Sequence, residues 1–182
     1  MRAAASAAAA LILLAAGCGG DDAVAGGTED LPGPVPTGVE FGDTPAEGVA
    51  AGDFTAKLVD GTAVRASDLW KDRPVVLVFT ASWCKTCANV HRSVAKVVDR
   101  HAGVALLGLV PADDAGPAAD YANNLDLGAP LGAADGKVWL DYAVREPPAV
   151  VLVAPGGTVV RGWPGGADEA VLDKALDDLT KQ

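Results

Sequence analysis

The sequence predicts an α/β domain with a central mixed sheet flanked by helices, an N-terminal hairpin and a helical insertion. Three observations carry this. Val75-Val76-Leu77-Val78-Phe79 is apolar throughout and rich in β-branched residues, as a strand buried on both faces should be. A helical stretch with apolar residues at 90, 94, 97 and 98 follows, and then a second apolar run over 104–110. Strand, helix, strand implies two parallel strands with a right-handed crossover. Further on, apolar strand patterns at 149–153 and 158–161 flank Pro155-Gly156-Gly157, a turn that returns the second strand antiparallel.

The elements follow in chain order. Met1-Arg2 gives a short positive start, Ala3 to Ala16 is almost wholly apolar, and Ala15-Ala16-Gly17 is a small-residue site. That is the pattern of a secretory signal peptide over 1–17, too short to span a membrane. Residues 18–47 are rich in Gly, Asp, Pro and Thr without apolar periodicity, and are expected to form a flexible tether. The domain is expected over 48–182. Phe54 to Val59 alternates like a strand, and Asp60-Gly61 makes a hairpin turn. Ser67 is expected to cap a short helical turn holding Leu69 and Trp70. The helix after the first buried strand is expected from Cys84 to His101. Short helices are expected over 117–124 and 136–143. Asp168 to Leu179 reads as an amphipathic helix with Val171, Leu172, Ala175, Leu176 and Leu179 facing inward.

Net charge is −10 with two histidines and no basic run, which excludes nucleic acid as a partner and favours a self-repelling monomer. There are three cysteines: Cys18, Cys84 and Cys87. Cys18 directly follows the signal, and an unpaired exported cysteine is a reactive liability unless it is modified. That leaves Cys84 and Cys87. A four-residue loop gains little stability from a disulfide, because loop-closure entropy grows with loop length. The pair is therefore expected to be chemical.

The chemistry fits the position. Disulfide exchange needs a thiolate and a second thiol close enough to resolve a mixed disulfide. Cys84 at a helix start has unpaired N–H groups and the positive dipole end beside its sulfur. Cys87 lies one turn on, more buried. Trp83 can shield the site and offer a flat apolar contact to a partner. Lys85 is read as solvated. A closed metal site needs four ligands, and no second Cys-x-x-Cys or His pair is present. His91 lies one turn beyond Cys87. It is read as an exposed helical histidine, with proton transfer or metal binding beside the thiols as the alternative. His101 is read as structural, at the C-terminal dipole of the same helix.

VVLVFTASWCKTC, residues 75–87, resembles the active-site strand and helix start of the thioredoxin superfamily. With the signal, the insertion and PAVVLVAPGGTVV, the chain is most similar to the membrane-anchored TlpA/ResA-type thioredoxins of bacteria, over about 48–179. Leu14-Ala15-Ala16-Gly17-Cys18 likewise resembles a lipobox, with Leu14 one place further out than usual. The resemblance implies a thioredoxin fold, a Cys84–Cys87 redox disulfide and no bound cofactor. It implies lipid on Cys18, and a place on the outer face of the cytoplasmic membrane. Exported thiol or disulfide proteins would be its partners, apocytochrome c among them, and a membrane thiol carrier its electron source. The direction implied is reducing. Oxidative folding is the alternative, and a copper metallochaperone using Cys84, Cys87 and His91 is another. Pro148 matches the family's substrate-contacting cis-proline, here preceded by Pro147, which has no N–H to donate. Thr86 replaces the usual proline before the second cysteine. Val90 and Val78 stand where relatives carry acidic residues, so no proton acceptor for Cys87 is evident.

Overall fold

The computed structural model describes residues 24–42, 48–125 and 128–181. The expected signal and Cys18 lie outside them. The strands are β1 (Glu40–Phe41), β2 (Val49–Ala50), β3 (Thr55–Leu58), β4 (Ala63–Arg65), β5 (Val75–Phe79), β6 (Ala105–Pro111), β7 (Leu131–Ala134), β8 (Ala149–Ala154), β9 (Thr158–Pro164) and β10 (Thr180–Lys181). The helices are α1 (Ala66–Leu69), α2 (Cys87–Val98), α3 (Ala115–Leu125), α4 (Gly136–Asp141) and α5 (Glu169–Asp177). Eight strands form one sheet in the order β2-β9-β8-β5-β6-β7-β3-β4, with β5/β6 and β6/β7 parallel and the other pairs antiparallel.

β5 sits at the centre, and all five of its residues are 0% exposed. Val75, Leu77 and Phe79 pack with Trp70, Val138 and Trp139 on one face. Val76 and Val78 pack with Val94 and Val97 of α2 and Leu172 and Leu176 of α5 on the other. Two covered faces explain why this strand shows no polar alternation. This is a thioredoxin-like fold.

Several elements depart from the sequence reading. β7 is not legible in Leu131-Gly132-Ala133-Ala134, because Gly and Ala have weak strand preference. It forms because β6 and β3 each offer an edge. A Cβ on Gly132 would lie 2.9 Å from the Ala56 Cβ, so glycine permits that approach. Ser67 does not cap α1. It lies inside the helix, and its N–H is taken by Asp53 Oδ1 at 3.0 Å. Val171 is 41% exposed, because the inward stripe of α5 runs through Leu172 and Leu176. α2 begins at Cys87, three residues later than expected. Turn bonds from Cys84 N–H to Ala81 O and from Cys87 N–H to Cys84 O precede it.

Residues 24–42, within the expected tether, run along the domain. Leu131 N–H donates to Gly26 O at 2.8 Å, Arg73 Nη1 to Gly33 O at 2.8 Å, and β1 pairs with β10. Thr28 donates to Asp60 Oδ2 from its N–H at 2.7 Å and its hydroxyl at 2.6 Å. Beside these polar and backbone bonds, Leu31 and Phe41 pack singly against the two buried clusters, too far apart in the chain to set an apolar period.

The Thr28 hydroxyl first, then the Thr62 and Thr28 N–H groups, pull the Asp60 carboxyl down from 3.8 to about 2. A depressed folded pKa gives stability that is complete above about 3.8 and is lost as pH falls through about 2. Amide exchange at Gly26–Asp30 should therefore speed up over that window, and in Asp60→Ala at neutral pH. The β5 amides should stay protected. Equal protection of Gly26–Asp30 in Asp60→Ala and wild type would refute this anchoring.

Candidate functional site

The loop leaving β5 carries the redox pair. Thr80 N–H is held by Leu109 O at 2.8 Å, continuing the parallel pairing with β6 beyond the end of the strand. Cys84 and Cys87 form a disulfide with their Cα atoms 5.4 Å apart. Cys84 is half-buried, Cys87 is 0% exposed and Trp83 is 65% exposed. The asymmetry follows from position. Cys84 lies in the turn ahead of α2, whereas Cys87 is the first residue of the helix and faces the sheet. The N-terminal end of this twelve-residue helix therefore points at the pair and favours an anionic sulfur there. The Thr86 hydroxyl lies 3.8 Å from Cys84 Sγ. With no hydrogen on the disulfide sulfur, the hydroxyl is the donor. Thr86 thus adds a side-chain donor that proline would lack.

Two contacts that the sequence does not reveal fix this loop to the insertion. Asp114, 6% exposed, accepts from Ser82 N–H at 2.6 Å and from the Ser82 hydroxyl at 2.5 Å. Thr80, 0% exposed, shares a 2.7 Å hydroxyl bond with Tyr121 of α3. Burial raises the Tyr121 pKa above 10.0, against the Thr80 bond, which pulls it the other way. Both pairs span more than thirty residues of sequence, so no local spacing announces them. Pro111-Ala112-Asp113-Asp114 reads locally as a loop entering a helix. α3 also walls a cleft of about 430 Å³, in which Cys84 and Lys85 face Asp120, Tyr121 and Asn124.

Pro148 lies on the other side. β8 runs antiparallel to β5 with Ala149 opposite Phe79, so Pro148 sits at the same end of the sheet as the cysteine loop. The Pro147–Pro148 peptide is cis. Pro148 O accepts from Gly165 N–H at 2.8 Å. Pro148 lines a second cavity of about 420 Å³ together with Arg145, Pro147 and Trp163.

The histidines differ from expectation in one case. His91 is 0% exposed, not an exposed helical residue, and neither ring nitrogen has a hydrogen-bond partner. Burial pushes its pKa down to about 4, so the ring is neutral. It is buried because β6 carries Gly108 beneath it. A Cβ there would lie 2.6 Å from His91 Cε1. His101, three residues past the end of α2, bonds Asp173 Oδ1 of α5 at 3.0 Å. Among the described residues, no three His, Cys, Asp or Glu side chains are grouped to hold a metal ion. The Cys84–Cys87–His91 copper reading therefore has no cluster behind it.

A disulfide between an accessible and a buried cysteine, at the start of a helix that follows the central strand, defines a thiol–disulfide oxidoreductase of thioredoxin type. The chain belongs to the AhpC/TSA family, whose model matches residues 48–161. It is similar to DsbF of Mycobacterium tuberculosis, solved in mixed oxidized and reduced forms, at 28% identity and a TM-score of 0.61, covering 68% of this chain and 92% of that one. The exposed lipoprotein thioredoxin of Streptococcus pneumoniae is 25% identical with a TM-score of 0.60, over 70% of this chain and 100% of that one. Peroxidoxin BcpB of Mycobacterium tuberculosis is 25% identical with a TM-score of 0.59, over 72% and 94%. No curated protein sequence matches the chain.

Proposed function

We propose that the chain exchanges disulfides with exported proteins outside the cytoplasm, as a TlpA/ResA-type reductant held to the membrane by lipid on Cys18. The observation that carries the exchange is the asymmetry of the pair: Cys84 opens to a cleft beside exposed Trp83, while Cys87 waits behind it at 0% exposure. Cys84 attacks a partner disulfide, and Cys87 resolves the mixed disulfide. Trp83 and Pro148 flank the partner chain. Pro147 offers it a carbonyl but no N–H, so gripping is loose and the range of partners broad. A membrane thiol carrier returns electrons to the pair. The signal-like start and the likeness to a lipoprotein thioredoxin support the location. Among the described residues, no helix is long and apolar enough to cross a membrane.

One experiment tests location and direction together. Cells expressing the wild type or Cys18→Ala are acid-quenched, fractionated and alkylated. The wild type should be in the membrane fraction with Cys84 and Cys87 mostly as dithiol. Each buried acyl CH₂ contributes about 0.8 kcal/mol, so losing the lipid should release the domain or trap its precursor. A processed Cys18→Ala protein still in the membrane fraction would remove the anchor. A mostly oxidised wild-type pair would favour oxidative folding over reduction.

A further inference from the structure

Trp83 and Pro148 flank a protein partner, which leaves the cleft between Cys84 and α3 without an occupant. Its volume of about 430 Å³ lies in the range of small-molecule sites, about 300–1,000 Å³. α3 turns one strip toward it. Pro117, Asp120, Tyr121 and Asn124 recur at helical spacing, while Ala118 and Ala122 of the same helix are buried in the core. Cys84 and Lys85 line the other wall. Several polar groups here are already engaged. The Tyr121 hydroxyl is held by Thr80 at 2.7 Å, and Ser82 is held by Asp114. Arg92, close enough to act on Tyr121, donates to Asn89 at 2.8 Å. Lys85, Asp120 and Asn124 are exposed and, among the described residues, have no hydrogen-bond or ion-pair partner. An ammonium and a carboxylate thus share the cleft of the attacking cysteine without neutralising each other. A ligand that carries both charges close together can bridge them.

We propose that this cleft is a subsite for low-molecular-weight disulfides of α-amino-acid thiols, which the reduced protein cleaves. Such a thiol carries an ammonium and a carboxylate on one carbon, close to the sulfur. Asp120 takes the ammonium and Lys85 the carboxylate. Asn124 can donate to the carboxylate or accept from the ammonium, and the Tyr121 ring packs against the methylene groups. The Cys84 thiolate attacks one substrate sulfur. The substrate S–S bond breaks, and its first half leaves as a thiolate. Cys87 then attacks Cys84 Sγ, and the second half leaves. The substrate gains two electrons from the pair and two protons, one from Cys87 and one from solvent. The pair becomes the Cys84–Cys87 disulfide. The membrane thiol carrier that reduces the pair after protein exchange reduces it here too. The proposal rests on the exchange reading of the pair and adds a second substrate class to it.

The test follows oxidation of the reduced protein by four small disulfides: cystine, with both charges; cystamine, with cations only; dithiodiglycolate, with anions only; and hydroxyethyl disulfide, with none. Each kcat/KM is divided by the rate of the same disulfide with free dithiothreitol, which removes differences in intrinsic reactivity. In the wild type, cystine should exceed hydroxyethyl disulfide by about tenfold, and should exceed both singly charged disulfides. An exposed ion pair is worth up to about fivefold. Asp120→Ala should therefore lower cystine and cystamine, relative to hydroxyethyl disulfide in the same variant, by about that factor. Lys85→Ala should lower cystine and dithiodiglycolate in the same way. Taking the ratio within each variant cancels any effect of Lys85 on the Cys84 thiolate. Asp120→Lys should move the preference from cystine to dithiodiglycolate. Equal corrected rates for all four disulfides in the wild type, or ratios unmoved in both alanine variants, would overturn the proposal while leaving exchange itself standing. Failure of the reduced wild type to react with any of the four would sink the exchange reading and the subsite with it.

Discussion

Replacing Cys87 with Ser should fill non-reducing gels with covalent adducts, while replacing Cys84 with Ser should leave them almost empty. The expectation comes from the proposed order of events and the difference in access. Cys84 is half-buried beside an open cleft, and Cys87 is 0% exposed. In Cys87→Ser, attack by Cys84 forms the mixed disulfide, and nothing within the site breaks it. In Cys84→Ser, the remaining thiol cannot reach a protein-sized disulfide without opening the helix start. Adduct levels should differ by roughly tenfold or more, in line with the dependence of exchange on access. Adding reductant should release the partners from the Cys87→Ser protein, and these then identify the substrates. A metal-holding pair would behave differently, because either substitution removes one ligand. Equal adducts from both variants, or none from either, would count against Cys84 as the nucleophile.

Asp114→Ala should be the most damaging change outside the cysteines. The carboxylate is 6% exposed and accepts two bonds from Ser82, two residues before Cys84. Hydrogen bonds to a charged group are worth about 1.5–3 kcal/mol, so losing both contacts should cost roughly 3 kcal/mol of unfolding free energy. That corresponds to a fall of about 6–12 °C in Tm for a chain of this size. Ser82→Ala removes only the hydroxyl bond and should cost about 1 kcal/mol. Asp114→Asn keeps one acceptor oxygen and should fall between the two. The loop that presents Cys84 would also lose its fixed position. Misplacement of about 1 Å can cost roughly a hundredfold in rate, so disulfide exchange should slow by about 10- to 100-fold even where Asp114→Ala remains folded. Urea midpoints and stopped-flow exchange with a model disulfide check the two effects separately. Wild-type values for both would show that the Ser82–Asp114 contact does not hold the site.

The strands and helices of the central unit were readable because each carries its own local pattern. Val75–Phe79 is apolar on both faces because the sheet is covered on both faces. α2 and α5 show their helical spacing because each packs one stripe inward. β7 was not readable. Its Leu-Gly-Ala-Ala run has no strand pattern of its own and takes its conformation from β6 and β3 on either side. The segment 24–42 was read as free because its contacts are backbone pairing, single polar bonds and the isolated apolar side chains Leu31 and Phe41, which leave no apolar period to find.

The same division runs through the site. By itself the sequence determined the redox pair and its place after the buried strand, and its resemblance to the family pointed to Pro148 ahead of β8, because these depend on order and short spacing along the chain. Tertiary structure alone decided what surrounds the pair. Asp114 reaches Ser82 and Tyr121 reaches Thr80 only because β6 returns parallel to β5 and brings the insertion over the cysteine loop. His91 is a buried, neutral group and not a surface one because a residue seventeen places away, Gly108, has no side chain to exclude it. Burial and long-range hydrogen bonding depend on which distant residues the fold brings together, and short spacing along a chain does not record that.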